Sequence, residues 1–412
     1  MRRTSLASAT QMLARRLDEL ARVTDQPGAT TRTFLSPAMR RANTLVGGWM
    51  RAAGLAVTED RVGNLVGRTA GRGKTLLLGS HLDTVGDAGR FDGTLGVLLP
   101  LAALEVLRQE GTVLPFAVEV LGFAEEEGVR FSSAYLGSKG YTGLLKASDL
   151  ALKDPEGVSV AEVLRAYNGK ALPLPRPAHR PSDLLGYVEV HIEQGPVLEA
   201  EGLAAGVVSA IAGQTRAKVT LTGQAGHAGT TPMGLRKDAL AAAAEFILAA
   251  ESAAQGHGPL VATVGRIAAH PGAANVIPGR VELTLDVRHP VDARRKAAFA
   301  RIRRAGRAIA GRRGVRFALE VTQDNGAVAC SRPLSALLAK SVKAQQGRSR
   351  SLPSGAGHDA VILSALTPVT MLFVRCRGGL SHHPDEFVHP RDLGAALAIM
   401  VDFLTRLAAT LA

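Results

Sequence analysis

Several apolar runs in this 412-residue chain lead straight into residues that bind metals or move protons. Thr75-Leu76-Leu77-Leu78 delivers Gly79-Ser80-His81, with Asp83 two positions on. Phe116 to Phe123 delivers Glu125-Glu126-Glu127, and Tyr187 to Val190 ends at His191. Val369 to Val374 is followed shortly by Ser381-His382-His383, and Asp92 sits in Gly89-Arg90-Phe91-Asp92-Gly93. Ligands in open α/β sheets gather at the carboxyl ends of strands, so these residues can meet although they are far apart in the chain. Mixed imidazole and carboxylate ligands suit borderline divalent ions such as zinc, manganese or cobalt. No cysteine joins them, which argues against a structural zinc knuckle. A catalytic site must keep coordination positions open. Five protein ligands around two ions, with one bridging carboxylate, would leave them open. A lone His-x-Asp is a weak signal, and three consecutive glutamates usually form a solvated face. Here the glutamates follow a buried run and precede Gly128, and the joint occurrence carries the inference.

The elements that must position these residues read as an α/β sheet covered on both faces, because strand and helix patterns alternate. Leu13, Leu17 and Leu20 mark one face of a first helix. Ser36-Pro37 is an N-cap followed by proline at the first helical position, opening a helix to about Arg51 that Gly54 ends. Short extended segments follow near Ala56–Asp60 and Asn64–Arg68. Leu95 to Gln109 reads as a helix despite Pro100. Pro173 to Pro181 reads as a loop.

From Gly213 the pattern changes. Ala217–Gly223, Val261–Ile267, Val281–Val287 and Val315–Val321 read as strands, and Asp238–Ser252 and Asp292–Arg312 as helices. The order β-α-β-β-α-β is that of a ferredoxin-like unit. Residues 213–327 are therefore expected to form a small domain inserted into a larger one made of 1–212 and 328–412. The larger domain resumes with the buried strand Val369–Val374 and a final helix from about Asp392.

Composition narrows the function classes. Hydrophobic residues make up 46% and charged residues 21%, which disfavours disorder. The net charge of +13 raises the question of nucleic acid. The basic residues are scattered, apart from a dense run over Arg301 to Arg316, and no aromatic platform interleaves with them. An Arg-rich soluble surface is the preferred reading, with no nucleic-acid partner. Cys330 and Cys376 form neither a CxxC pair nor a disulfide framework and suit a reducing cytoplasm. Met1 to Arg16 lacks the apolar core of a secretory signal, and no stretch is expected to span a membrane.

The motifs together resemble the amidohydrolase branch of the binuclear metallopeptidase family, which contains allantoate amidohydrolases, N-carbamoyl-L-amino acid hydrolases and β-ureidopropionases. The resemblance runs in order through Gly79-Ser80-His81-Leu82-Asp83-Thr84-Val85, Gly89-Arg90-Phe91-Asp92-Gly93, Glu125 to Phe131 and His191-Ile192-Glu193-Gln194-Gly195-Pro196. It continues through Gly226 to Met233, Asn275 to Gly279, Gly355 to Ala360 and Gly378-Gly379-Leu380-Ser381-His382. It implies a metallopeptidase-like catalytic domain with a central mixed sheet flanked by helices, plus an inserted ferredoxin-like dimerisation or lid domain.

By this resemblance two divalent ions are expected per subunit: zinc or manganese, with cobalt or nickel as further options. Asp92 would bridge them, His81 and His191 would complete one site, and Glu127 and His382 the other. A histidine at 191 is typical of this branch. Asp83 would hold the far ring nitrogen of His81. Glu126 precedes a metal ligand and would act as general base, the plainer alternative being support of the metal shell. His227 would stabilise the developing oxyanion, often across a dimer interface. Arg288 would grip a substrate carboxylate with its planar fork. Gln194, Asn275 and Arg216 would add hydrogen bonds, although Arg216 reads almost as well as a surface strand residue. With metals on one domain and the grip on the other, closure about glycines near 213 and 326 would gate the site.

Within the branch, Gly213-Gln214-Thr215-Arg216 and Phe373 to Gly379 look more like allantoate amidohydrolases. Allantoate, a small carboxylate with two ureido groups, is thus the favoured substrate, and an N-carbamoyl-L-amino acid the alternative. One departure is His383, which stands where the family has a small polar residue and leaves two adjacent histidines as candidates for one ligand. The resemblance also implies a homodimer. A metal-free binding protein on the same fold is the competing class, against which the complete ligand set argues.

Overall fold

The computed structural model describes residues 3–71, 73–171 and 173–411, so the Met1-Arg2 end of the first predicted helix lies outside the described residues. The chain divides into two compact units. One comprises Met1–Ser209, Cys330–Leu352 and His358–Ala412; the other comprises Ala210–Ala329 and Pro353–Gly357. The second unit therefore takes in a short segment that the sequence reading leaves in the first domain. Within that unit the Arg288 guanidinium donates to the Gly355 carbonyl at 2.7 Å, which helps hold the segment there.

The first unit is built on a mixed sheet. Its order is Ala56–Glu59, Leu65–Arg68, Ala117–Phe123, Thr75–His81, Leu184–Ile192, Val369–Val374 and Ala205–Ile211. The four central strands are parallel, and the flanking pairs are antiparallel. Thr75–His81 and Ala117–Phe123 are buried along their whole length, as near-continuous apolar runs in a covered parallel sheet must be. Parallel strands bring all their carboxyl ends to one edge. In register, His81 lies level with Phe123 and His191 with Phe373. His191 sits inside its strand, which is longer than the Tyr187–Val190 run suggests.

Helices Thr94–Gln109, Arg332–Gln346 and Pro390–Leu411 pack on the sheet, and Arg3–Ala21 packs against the first and last of these. Leu13, Leu17 and Leu20 are buried, as their spacing predicts. Ser36 caps helix Pro37–Ala52 by accepting from the Met39 N–H at 3.1 Å. Pro100 stands inside the continuous helix Thr94–Gln109, whose apolar residues are buried on every side. The last helix corrects one expectation. Pro390–Leu411 spans 22 residues with a mean hydropathy of 1.5, enough by length and composition to cross a membrane. Its apolar character is accounted for by burial: Leu393, Leu397, Met400 and Leu404 belong to the main core.

The second unit holds a five-stranded antiparallel sheet with two helices, Ala239–Ala254 and Asp292–Arg313. The strand order is Ile267–His270, Arg280–His289, Gly213–Thr222 and Arg316–Asn325. The predicted strand Val261–Ile267 is instead two pieces, Val261–Thr263 and Ile267–His270, both paired with Arg280–His289. Its core takes Val281, Leu283, Leu285 and Val287 from one face of the alternating strand. Asp238 caps the first helix through the N–H groups of Leu240 and Ala241.

Candidate metal centre

Three imidazoles converge on one carboxylate at the carboxyl edge of the parallel strands. The Asp92 Oδ1 atom lies 3.0 Å from His191 Nε2 and 3.4 Å from His81 Nε2. Its Oδ2 atom lies 3.3 Å from His382 Nε2, which in turn is 3.6 Å from Glu127 Oε1. Ligand atoms of one tetrahedral zinc, each about 2.0–2.1 Å from the metal, stand about 3.3 Å apart. The spacings found here are those of coordination polyhedra, with one oxygen of Asp92 facing each half. His81, Asp92 and His191 form one group that could hold an ion; Asp92, Glu127 and His382 form a second, and His81, Glu126 and Glu127 a third.

The backbone prepares these ligands. His81 Nδ1 is 3.0 Å from the Asp83 carbonyl, and His191 Nδ1 is 3.0 Å from the Ile192 carbonyl. A proton on Nδ1 in each leaves the Nε2 lone pair directed at the centre. The Asp83 carboxylate stands farther from His81 Nδ1, at 3.4 Å. Its closer partners are the N–H groups of Glu126 at 3.0 Å and Glu127 at 3.2 Å. Asp83 thus holds the glutamate turn as well as backing the imidazole. Gly93, at φ +65°, brings the Asp92 loop so near that a β-carbon there would lie 2.4 Å from the His81 ring. Gln194 and His382 adopt φ +55°, an unusual conformation for residues with side chains.

The three glutamates divide their work. Glu125 accepts from the N–H groups of Gly128 and Leu136 and closes its own turn. Glu127 faces His382. Glu126 is buried beside His81 and Glu127, and burial pushes its carboxyl well above the usual range. Burial likewise pushes Glu127 up to about 7. Burial works against the charge of Asp92, but the contacts with His191, His382 and His81 hold it well below its ordinary value. Contact with Asp92 pushes His382 up to about 9. A divalent ion bound here would compete with protons for these same groups.

Of the two adjacent histidines, His382 faces the centre. The His383 Nδ1 atom instead accepts from the Asp385 N–H at 3.1 Å. Gln194, expected at the substrate, donates to Asp92 Oδ2 at 2.9 Å and to Ser381 Oγ at 3.1 Å. Ser381 and Glu386 are part of this arrangement and were not singled out in the sequence. Their only signal is proximity to His382 along the chain.

The remaining expected site residues lie in the second unit. His227 and Asn275 are exposed neighbours: His227 pairs with Val276, and the Ala228 N–H donates to the Asn275 carbonyl. Arg216 and Arg288 stand on the open face of the sheet and line a cavity of about 770 Å³ together with Lys218, Arg266 and Asp286. There the Arg288 fork already grips a carboxylate. Its Nε and Nη2 atoms donate to Asp286 at 3.0 and 2.9 Å. Gln214 and Arg216 also donate to Asp286, and these partners hold its carboxyl below the usual range although burial opposes them. Asp286 is the missed member, legible in principle because residues two apart on a strand share a face.

Comparison with known proteins finds relatives over nearly the whole chain. Residues 77–406 match the family model of peptidase family M20/M25/M40. The chain is 43% identical over 426 residues to an allantoate deiminase 2 of Glycine max, covering 95% of this chain and 88% of that protein. It is 40% identical to an N-carbamoyl-L-amino acid amidohydrolase of Geobacillus stearothermophilus, covering 97% and 98%. A hydantoinase/carbamoylase family amidase from Burkholderia multivorans has the same fold, with a TM-score of 0.90 at 35% identity, covering 96% and 97% of the two chains. With the match spanning most of its length, the chain belongs to peptidase family M20/M25/M40.

Proposed function

We propose that this chain is a metal-dependent amidohydrolase that cleaves the ureido C–N bond of allantoate, giving ureidoglycine, ammonia and carbon dioxide. The observation that carries the reading is the orientation of Asp92, one oxygen toward His81 and His191 and the other toward His382. The donor set fits two divalent ions, zinc or manganese, with cobalt or nickel as alternatives, held by His81, Asp92, His191, Glu127 and His382. Such ions, when bound, lower the pKa of water and polarise a carbonyl.

The chain's own groups supply the rest. Glu126 takes a proton from the attacking water and passes it to the leaving nitrogen. Burial raises its carboxyl above the ordinary carboxylate range, the direction that suits a base that must also act as an acid. In balance, one water adds across the ureido group, which leaves as carbon dioxide and ammonia, and the amine remains on the substrate carbon. His227 is proposed as the oxyanion donor. Arg288, with Arg216, Gln194 and Asn275, is proposed to bind the carboxylate and ureido groups. Gln214, Arg216 and Arg288 converge on Asp286, so a substrate carboxylate would take the Arg288 fork in exchange for this internal partner.

A second reading has a specific support, the 40% identity to an N-carbamoyl-L-amino acid amidohydrolase over nearly the whole chain. That reaction uses the same centre and differs in having one ureido group. Ammonia release measured on allantoate beside a series of N-carbamoyl-L-amino acids separates the two. The proposal predicts a higher kcat/KM on allantoate, and the reverse order would transfer the assignment to the carbamoyl amino acids.

The assembly is proposed to be a homodimer formed through the second units. Met233 and Leu235, at 77% and 74% exposure, are apolar side chains that a second copy would cover. Sedimentation at twice 43.0 kDa is expected, and a single-chain mass would remove the dimer.

A further inference from the structure

Asp92 and His382 come from distant parts of the chain, yet their side chains must meet to a few tenths of an ångström. One buried carboxylate connects the two segments. Glu386 is 2% exposed, and its Oε1 atom accepts from the N–H groups of Phe91 at 2.8 Å and Asp92 at 3.1 Å. Its Oε2 atom is 3.1 Å from the Ser381 hydroxyl, which lies 2.7 Å from Asp92 Oδ2. The Glu386 N–H donates to the His383 carbonyl at 3.0 Å, closing the turn that carries His382. The approach of the Asp92 loop is close enough that only glycine fits at position 89. A β-carbon there would lie 2.3 Å from the Glu386 β-carbon and 2.4 Å from Oε1.

We infer that Glu386 is a positioning residue that clamps the Asp92 loop to the His382 turn and so fixes both halves of the metal centre. The inference rests on the metal-centre reading above. Glu386 does not face the ions in this scheme. It acts through Asp92 in two ways, by holding the backbone N–H groups and by seating Ser381 against Oδ2. Partners of this kind behind metal ligands typically change metal affinity or activity by about 10–100-fold.

The test uses Co²⁺ titration of the metal-free full chain, read by visible absorption and calorimetry, with thermal unfolding of the metal-free proteins in parallel. Glu386→Ala is expected to weaken Co²⁺ binding about 10–100-fold and to alter the absorption band. Glu386→Gln keeps an oxygen for the Phe91 and Asp92 N–H groups and should recover most of the affinity. Glu386→Asp keeps the charge but is one methylene short of spanning loop and turn, so it should bind more weakly than Glu386→Gln. It also serves if the alanine variant does not fold. A residue that merely supports the fold would lower the unfolding temperature and leave Co²⁺ affinity and spectrum unchanged, and that result would overturn the inference. If the wild-type chain itself binds no Co²⁺, the metal-centre reading falls and this inference with it. If the wild type binds and all three variants match it, only the clamp is refuted.

Discussion

Asp92 owes its role to the different surroundings of its two oxygens. One meets two imidazoles delivered by parallel strands, and the other meets an imidazole from a loop far along the chain. The residues that converge on Asp92 were legible in the sequence because each strand-borne group ends an apolar run, and such runs declare both the strand and its direction. Periodicity did not separate His382 from His383, because adjacent loop residues carry no periodic signal; the register of the family resemblance favoured His382. In the structure His382, with a left-handed backbone, turns its Nε2 to Asp92, while His383 is held by the Asp385 N–H. Glu386 was hidden for a similar reason. Its partner loop lies 295 positions away, and an acid in a polar loop reads as solvated surface until the fold buries it. Asp286 was overlooked although the alternation places it beside Arg288, because a carboxylate in a proposed carboxylate-binding site runs against the expected chemistry.

At the scale of elements, the parallel strands do the positioning and helix Thr94–Gln109 locks them. That helix begins two residues after Asp92 and packs through Gly96 onto the strands below. A β-carbon at Gly96 would lie 2.3 Å from the Val190 carbonyl oxygen and 2.5 Å from the Ser80 β-carbon. Both obstacles are fixed, so the helix would have to lift. Gly96→Ala is therefore expected to destabilise the chain by about 1–3 kcal/mol, the usual range for overpacking. Urea unfolding checks this, and a variant as stable as the wild type would show that the helix has room to spare. Most elements could be read from their periods and caps, as with Ser36-Pro37 and Asp238. The break in Val261–Ile267 could not be, since both pieces keep a strand pattern and pair with the same neighbour.

At the scale of the molecule, the change in pattern near residue 213 reflects a real change of architecture, from a parallel-centred sheet to an antiparallel one with its own core. The inclusion of Pro353–Gly357 with the second unit has no local signature, because it depends on where the chain passes and not on what those residues prefer. The apolar length of Pro390–Leu411 is likewise decided by its surroundings: it lies in the core of the first unit. Ion pairs such as Arg375–Asp392 and Arg312–Glu245 neutralise part of the arginine charge, and the net +13 is the excess of basic over acidic residues. What unites these levels is a cluster of imidazoles and carboxylates, able to hold cations, at the edge of one sheet. Metal analysis of the purified full chain beside Glu126→Gln tests it most directly. The account predicts about two divalent ions per chain in both proteins, with turnover lost by about 10²–10⁴-fold in the variant. A wild-type chain that holds no divalent ion after incubation with zinc or manganese, or a variant that turns over at the full rate, would contradict it.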